Sequence, residues 1–220
     1  MTSAEPLIRW EWVIRNLGEI RDRTIEHVIL TGLAVAIGFV LSFALSLLIR
    51  WRPRLYGPVT WSTGFLYTIP SLALFAFLVP VTGLSLLTAE IGLVSYTLLI
   101  LTRNMVEGLR SVPADVRESA VAMGYTESQV LWHVELPLAA PLIVGGVRVA
   151  TVTTIGLTTV TALIGQGGLG FFILEGIQRF FATPLLVGAV LSIALAIAAD
   201  AGLLLIQDRI APWGRRTLPQ

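Results

Sequence analysis

The sequence predicts an all-α integral membrane protein with about five transmembrane helices and a short polar helix pair between the third and fourth. Three observations predict it. Of 220 residues, 55% are hydrophobic and only 13% charged, with mean hydropathy +0.81; a soluble domain carries about twice that charged fraction. The apolar residues fall in runs of membrane-spanning length. All six tryptophans (Trp10, Trp12, Trp51, Trp61, Trp132 and Trp213) lie outside or at the edges of those runs, where amphipathic rings settle at a membrane–water interface.

The elements follow in order. Residues Leu7 to Glu26 read as a charged amphipathic helix lying at the surface, and residues 27–220 as the membrane domain. The first span, His27 to Ile49, ends at "RWRPR". The second runs from Val59 to Val79, with Pro70 of "TIPSLAL" kinking it by removing a backbone donor. The third covers Leu84 to Leu101 and the fourth, rich in Gly and Thr, Leu138 to Ile164. Gly and Thr permit close helix approach and interhelical hydrogen bonds, so the fourth span reads either as packed core or as pathway lining. "GQGGLG", Gly165 to Gly170, is too flexible to continue a helix, and it lacks the Lys-Ser/Thr of a P-loop. The fifth span runs from Leu185 to Ile206. The charged first 23 residues, followed by a long apolar run, do not fit a cleavable signal peptide.

Arginine sets the expected orientation. The loop after span one carries Arg50, Arg52 and Arg54, that after span three Arg103, Arg110 and Arg117, and the tail Arg209, Arg215 and Arg216. The loop after span two has no arginine and that after span four only Arg179. The positive-inside rule then places the N-terminus outside and the C-terminus in the cytoplasm. Arg9, Arg15, Arg21 and Arg23 oppose this, partly neutralised by five nearby acids.

Residues 111–137 form the longest polar segment between spans, and they face the cytoplasm in that orientation. Pro113 sits where a helix would begin, Ala114 to Met123 favours helix, and Gly124 supplies the stop. Thr126 and Gln129 have capping-box spacing, so a second short helix starts there; Pro137 and Pro141 mark entry to the fourth span. The expected object is a helix–turn–helix on the membrane surface that presents Glu118, Ala120, Met123 and Tyr125 to a soluble partner.

"ESAVAMG" (Glu118 to Gly124) followed by "VELP" (Val134 to Pro137) resembles the EAA motif of ABC importer permeases, with Ser119 for the middle Ala and Val134 for Ile. "YTIPSLALFAFLVP", "LTRNMVEGLRSVP" and "ALIGQGGLGFFI" are similar to the osmoprotectant branch, whose solutes are glycine betaine, choline, carnitine and related quaternary amines. A methionine or other amino-acid permease is the alternative. The resemblance implies the type I importer permease fold, a second permease chain (identical or sister), two cytoplasmic ATPases and an extracytoplasmic substrate-binding protein, in a bacterial cytoplasmic membrane. It implies that Glu118, Ser119, Ala120, Met123, Gly124, Tyr125, Leu136 and Pro137 couple to the ATPase. Glu118 would pair with a partner arginine or cap a neighbouring helix. This chain would bind no cofactor; ATP and Mg would sit on the ATPase. Solute selectivity would lie mainly in the binding protein.

Within the spans, Arg148 and Asp200 each lie roughly 15 Å deep at about 1.5 Å per residue. Intramembrane charges are costly, so the two are expected either to pair and hold spans four and five together, or to leave Arg148 lining the pathway. Tyr67, Pro70, Ser71, Thr154 and Thr158 are further pathway candidates, whereas Glu90 and Glu175 read as interfacial. Cysteine is absent, which excludes disulfides and thiolate chemistry; no basic block points to nucleic acid. HExxH, GxSG and paired intramembrane aspartates are missing, against an intramembrane enzyme, and a stand-alone channel would have no use for an EAA-like helix pair.

Overall fold

The computed structural model describes residues 7–210 and Pro212; Trp213, Arg215 and Arg216 of the sequence argument lie outside the described residues. Ten α-helices occur among them: α1 (Trp10–Arg15), α2 (Leu17–Trp51), α3 (Tyr56–Thr68), α4 (Ser71–Thr82), α5 (Leu86–Arg110), α6 (Ala114–Ala122), α7 (Glu127–Val130), α8 (Leu136–Thr158), α9 (Gly170–Gln178) and α10 (Ala182–Ile210). A π turn, Leu131–Glu135, joins α7 to α8, making Glu127–Thr158 one continuous helical run. That run, α2, α5 and α10 are long and apolar enough to cross a membrane; α3 with α4 makes a fifth span if the bent pair is one crossing.

Four boundaries differ from the sequence reading. The boundary expected between residues 26 and 27 falls inside α2, which starts at Leu17 after the break at Asn16. Residues 17–26 contain no proline, and half-buried Arg23 bridges both Glu19 and Glu26, so the polar turns extend the span. Pro70 does not kink a continuous helix: α3 stops at Thr68, α4 starts at Ser71, and the chain turns by 94° between them. Proline disfavours the helical region for the residue before it and has no amide to donate, so Ile69–Pro70 is a break. Span four ends at Thr158, earlier than expected, and Arg103 and Arg110 belong to α5, not to a loop.

The chain forms two compact units. The first comprises residues up to Ala34, Ile69–Val94 and Val152–Ala198. Its core is Leu30, Ala34 and Leu93 with Val94 and Leu157, and Phe75, Ala89 and Ile164 with Val79 and Val160. Thr31 and Thr158 hydrogen-bond at 3.2 Å, and His27 Nε2 meets the Ile155 carbonyl at 3.1 Å. The glycine-rich stretch turns here: Gly165, Gly167 and Gly168 all have positive φ, and a Cβ on Gly168 would overlap the Arg23 carbonyl and His27. Trp12 lies edge-on to Phe172 and Phe181, fixing α1 against α9.

The second unit comprises Val35–Thr68, Ser95–Thr151 and residues from Ala199 on. Leu101, Met105 and Ala150 pack with Phe39, Phe43 and Val147, and Leu109, Leu131 and Ala139 with Leu47 and Leu136. The polar helix pair belongs to this unit.

Candidate functional site

Local chemistry builds α6 and α7. Pro113 holds an extended backbone (φ −59°, ψ 141°) ahead of α6, and its missing amide costs nothing there. At the other end Gly124 adopts φ 89°, so the Tyr125 amide bonds the Ala120 carbonyl at 3.1 Å and the Gly124 amide that of Val121 at 2.9 Å. This is a Schellman stop, and a side chain at position 124 would be strained. Thr126 opens α7 with a capping box: its Oγ accepts from the Gln129 amide at 3.4 Å, and Gln129 Oε1 accepts from the Thr126 amide at 2.9 Å. The π turn then leads into Pro137, which cannot donate to the carbonyl four residues back, so the regular ladder is interrupted where the wider turn sits.

The result is a preformed polar surface. Residues 113–119 and 121–129 are exposed in the chain, with Met123 70% and Tyr125 40% exposed. Glu118, Ser119 and Gly124 lie on this surface, and Leu136 and Pro137 are half-buried at its junction with α8. Ala120 is the exception: it is 2% exposed, so the expectation that it faces a partner is corrected. It is the one residue of α6 that is buried, on the side where α6 lies against α7 and the π turn, and a methyl group lets the backbones come close. Glu118 caps no helix and makes no ion pair among the described residues. It borders a cleft of about 440 Å³ between α6 and the ends of α2 and α5, lined also by Ser46, Arg50, Arg110 and Arg117.

The acid at the base of this surface, Glu135, is not among the residues the sequence singles out. Glu135 is fully buried; Arg50 of α2 donates to it through Nε to Oε2 (2.5 Å) and Nη2 to Oε1 (3.3 Å), and Arg117 of α6 also donates to Oε1. Arg50 Nη2 also reaches Glu127 at 3.1 Å. The available signal was the acid inside "VELP", placed among apolar residues with arginines on either side in sequence.

Elsewhere, Arg148 of α8 and Asp200 of α10 form a bidentate pair, Nε to Oδ1 and Nη2 to Oδ2 both at 2.9 Å, with Gln207 3.3 Å from the guanidinium. Fork-to-fork geometry satisfies both charges at once. Thr154 and Thr158 are buried in helix packing, Thr158 donating to the Thr154 carbonyl at 2.8 Å. Tyr67 and Pro70 are exposed in the chain and Ser71 half-buried, the Tyr67 ring lying 5.7 Å from that of Tyr96. Glu175 pairs with Arg179 at 2.8 Å. Glu90, expected at an interface, is 7% exposed, and neither carboxylate oxygen has a hydrogen-bond partner; its position on the face of α5 that carries buried Leu93 and Thr97 draws it inside.

The chain belongs to the family of binding-protein-dependent transport system inner membrane components, whose model matches residues 34–212. It is therefore a multi-pass inner-membrane permease subunit of an ABC importer, which works with an ATPase and a substrate-binding protein. It is 36% identical over 210 residues to the osmoprotectant import permease protein OsmW of Salmonella typhimurium, covering 93% of this chain and 98% of that one. It is 33% identical over 205 residues to the choline transport system permease protein OpuBB of Bacillus subtilis, covering 93% and 94%. Among solved structures, an inward-facing MetNI methionine ABC transporter chain superposes with TM-score 0.80 at 22% identity, covering 89% of this chain and 98% of that one. That likeness shows the type I importer permease fold.

Proposed function

We propose that this chain forms the membrane pathway of an importer for quaternary-amine osmoprotectants of the glycine betaine, choline and carnitine type, and that residues 114–129 receive the ATPase. The observation that carries the docking role is the exposed α6–α7 surface, held at both ends by caps and so rigid enough to pass on a push. The solute class is supported by relatives named for osmoprotectants, choline and carnitine, each matched over most of its length. The likeness to a methionine transporter, at 22% identity, bears on the fold alone.

In this reading two permease chains, identical or sister, enclose the path, and two ATPases bind ATP and Mg beneath them. Glu118, Ser119, Met123, Gly124 and Tyr125 meet the ATPase, while buried Ala120 and half-buried Leu136 and Pro137 hold the surface in place. ATPase closure moves α6 and alternates access. The N-terminus lies outside and the C-terminus inside. Arg148 and Asp200 lock α8 to α10, and Tyr67, Pro70 and Ser71 face the path more openly than Thr154 and Thr158.

The test is isolation from native membrane in mild detergent, followed by ATPase assay of the eluate with binding proteins loaded with betaine, choline or methionine. Stimulation by a betaine- or choline-loaded protein is the expected result. Stimulation by methionine alone would overturn the solute class, and elution without ATPase in several detergents would overturn the docking role.

A further inference from the structure

We propose that Glu135 is the positioning residue of the coupling surface: with Arg117 and Arg50 it forms a polar pin that makes α6 move together with the end of α2 and the start of α8. The inference rests on the reading of α6–α7 as the ATPase-docking surface.

Apolar packing alone holds α6 weakly. Ala120 is its one buried residue, and an open cleft of about 440 Å³ separates it from the ends of α2 and α5. Something else must fix its position if a push on α6 is to reach the membrane helices. Across that region runs the Arg117–Glu135–Arg50 link, joining α6, the π turn and α2 through one carboxylate. The carboxylate is fully buried and the Arg50 side chain is only 10% exposed, whereas the Arg117 side chain is 47% exposed. Water screens the inner half of the link little, so its charge-assisted bonds hold; the outer half stays reachable and is the arm that α6 pulls. The charges balance: Arg50 and Arg117 face Glu135 and Glu127. Glu135 also occupies the last position of the π turn, next to Leu136 of α8, so displacement of its carboxylate is delivered to the root of that helix. Each arginine has a distinct task in this arrangement. Arg50 anchors the carboxylate to α2, and Arg117 connects it to the surface the ATPase moves.

The test uses the complete importer in proteoliposomes, with ATP hydrolysis and solute import measured on the same sample. The variants are Glu135→Gln, Arg117→Gln and Arg117→Lys, with Arg179→Gln as a control remote from the pin. Glu135→Gln and Arg117→Gln are expected to retain the ATPase on purification and to keep hydrolysing ATP. Solute moved per ATP should fall about tenfold, the scale set by losing a charge-assisted hydrogen bond to a buried carboxylate. Arg117→Lys keeps the charge but not the fork, and should recover part of the ratio. Should Glu135→Gln fail to insert, Arg117→Gln decides, because its half-exposed side chain can be lost without emptying the core. An unchanged import-to-ATP ratio in an assembled Arg117→Gln importer overturns the pin. Failure of the unaltered chain to retain an ATPase overturns the docking reading instead, and the two failures are told apart by that control.

Discussion

Arg148 and Asp200 show how a single residue pair can be legible in sequence. Two opposite charges at similar depth in neighbouring apolar runs have few places to go, and the two side chains meet in a bidentate pair. Neither side chain is sealed: Arg148 is 24% and Asp200 42% exposed in the chain, and charged side chains within spans rarely face hydrocarbon. The face that carries them therefore adjoins protein or water in the membrane. Removing one partner leaves an unpaired intramembrane charge, whereas removing both leaves none. Arg148→Leu and Asp200→Leu are each expected to lower the amount of inserted chain and its melting temperature in detergent. The double variant should lie closer to the unaltered chain than either single one. Equal or additive losses would show that the two residues act apart.

At the scale of elements, the helix pair was readable because its ends are set by local chemistry. Pro113, Gly124, Thr126 and Gln129 do in three dimensions what their spacing foretells, since caps and stops depend on the few residues around them. The same cannot be said of which α6 face turns inward. Ala120 is buried through α7 and the π turn, contacts that no residue of α6 announces. The Glu135 link was missed for a similar reason: Arg50 is 85 residues away in sequence, and only folding makes them neighbours. Pro70 misled in the opposite direction, because one proline can kink a helix or end it, and here the restricted Ile69 ends it. The fixed geometry of α6 makes a prediction. Ala120→Leu overpacks the one buried position, at a cost of about 1–3 kcal/mol. Gly124→Asp forces a side chain into left-handed backbone. Both variants are expected to remain in the membrane at near-normal levels, since α6 is remote from insertion, and to lose most solute uptake. Uptake at the normal rate by either one would remove the rigid-coupling argument.

For the whole molecule, the number of crossings and the orientation are linked. Four helices pass as single spans and α3–α4 makes a fifth when counted as one bent crossing, so an odd total puts the two termini on opposite sides. The proposed orientation puts Arg50, Arg52 and Arg54 at the cytoplasmic end of α2 and Arg117, within α6, on the same side; the turn between α4 and α5 has no basic residue, and Arg9, Arg15, Arg21 and Arg23 weigh against it. In the proposed reading the α6–α7 surface is cytoplasmic, where an ATPase can meet it, and the α9–α10 turn lies outside. The chain contains no cysteine, so each position can be probed by one introduced thiol without background. Ser128→Cys, on the exposed side of α7, and Gln178→Cys, exposed at the end of α9, report the two faces. In intact spheroplasts a membrane-impermeant maleimide is expected to label position 178 and not 128; after permeabilisation it should label both. Labelling of position 128 from outside would invert the chain, put the helix pair out of an ATPase's reach, and remove the docking role. Labelling of both positions from outside would instead mean that the helical run through α8, the candidate span between them, does not cross.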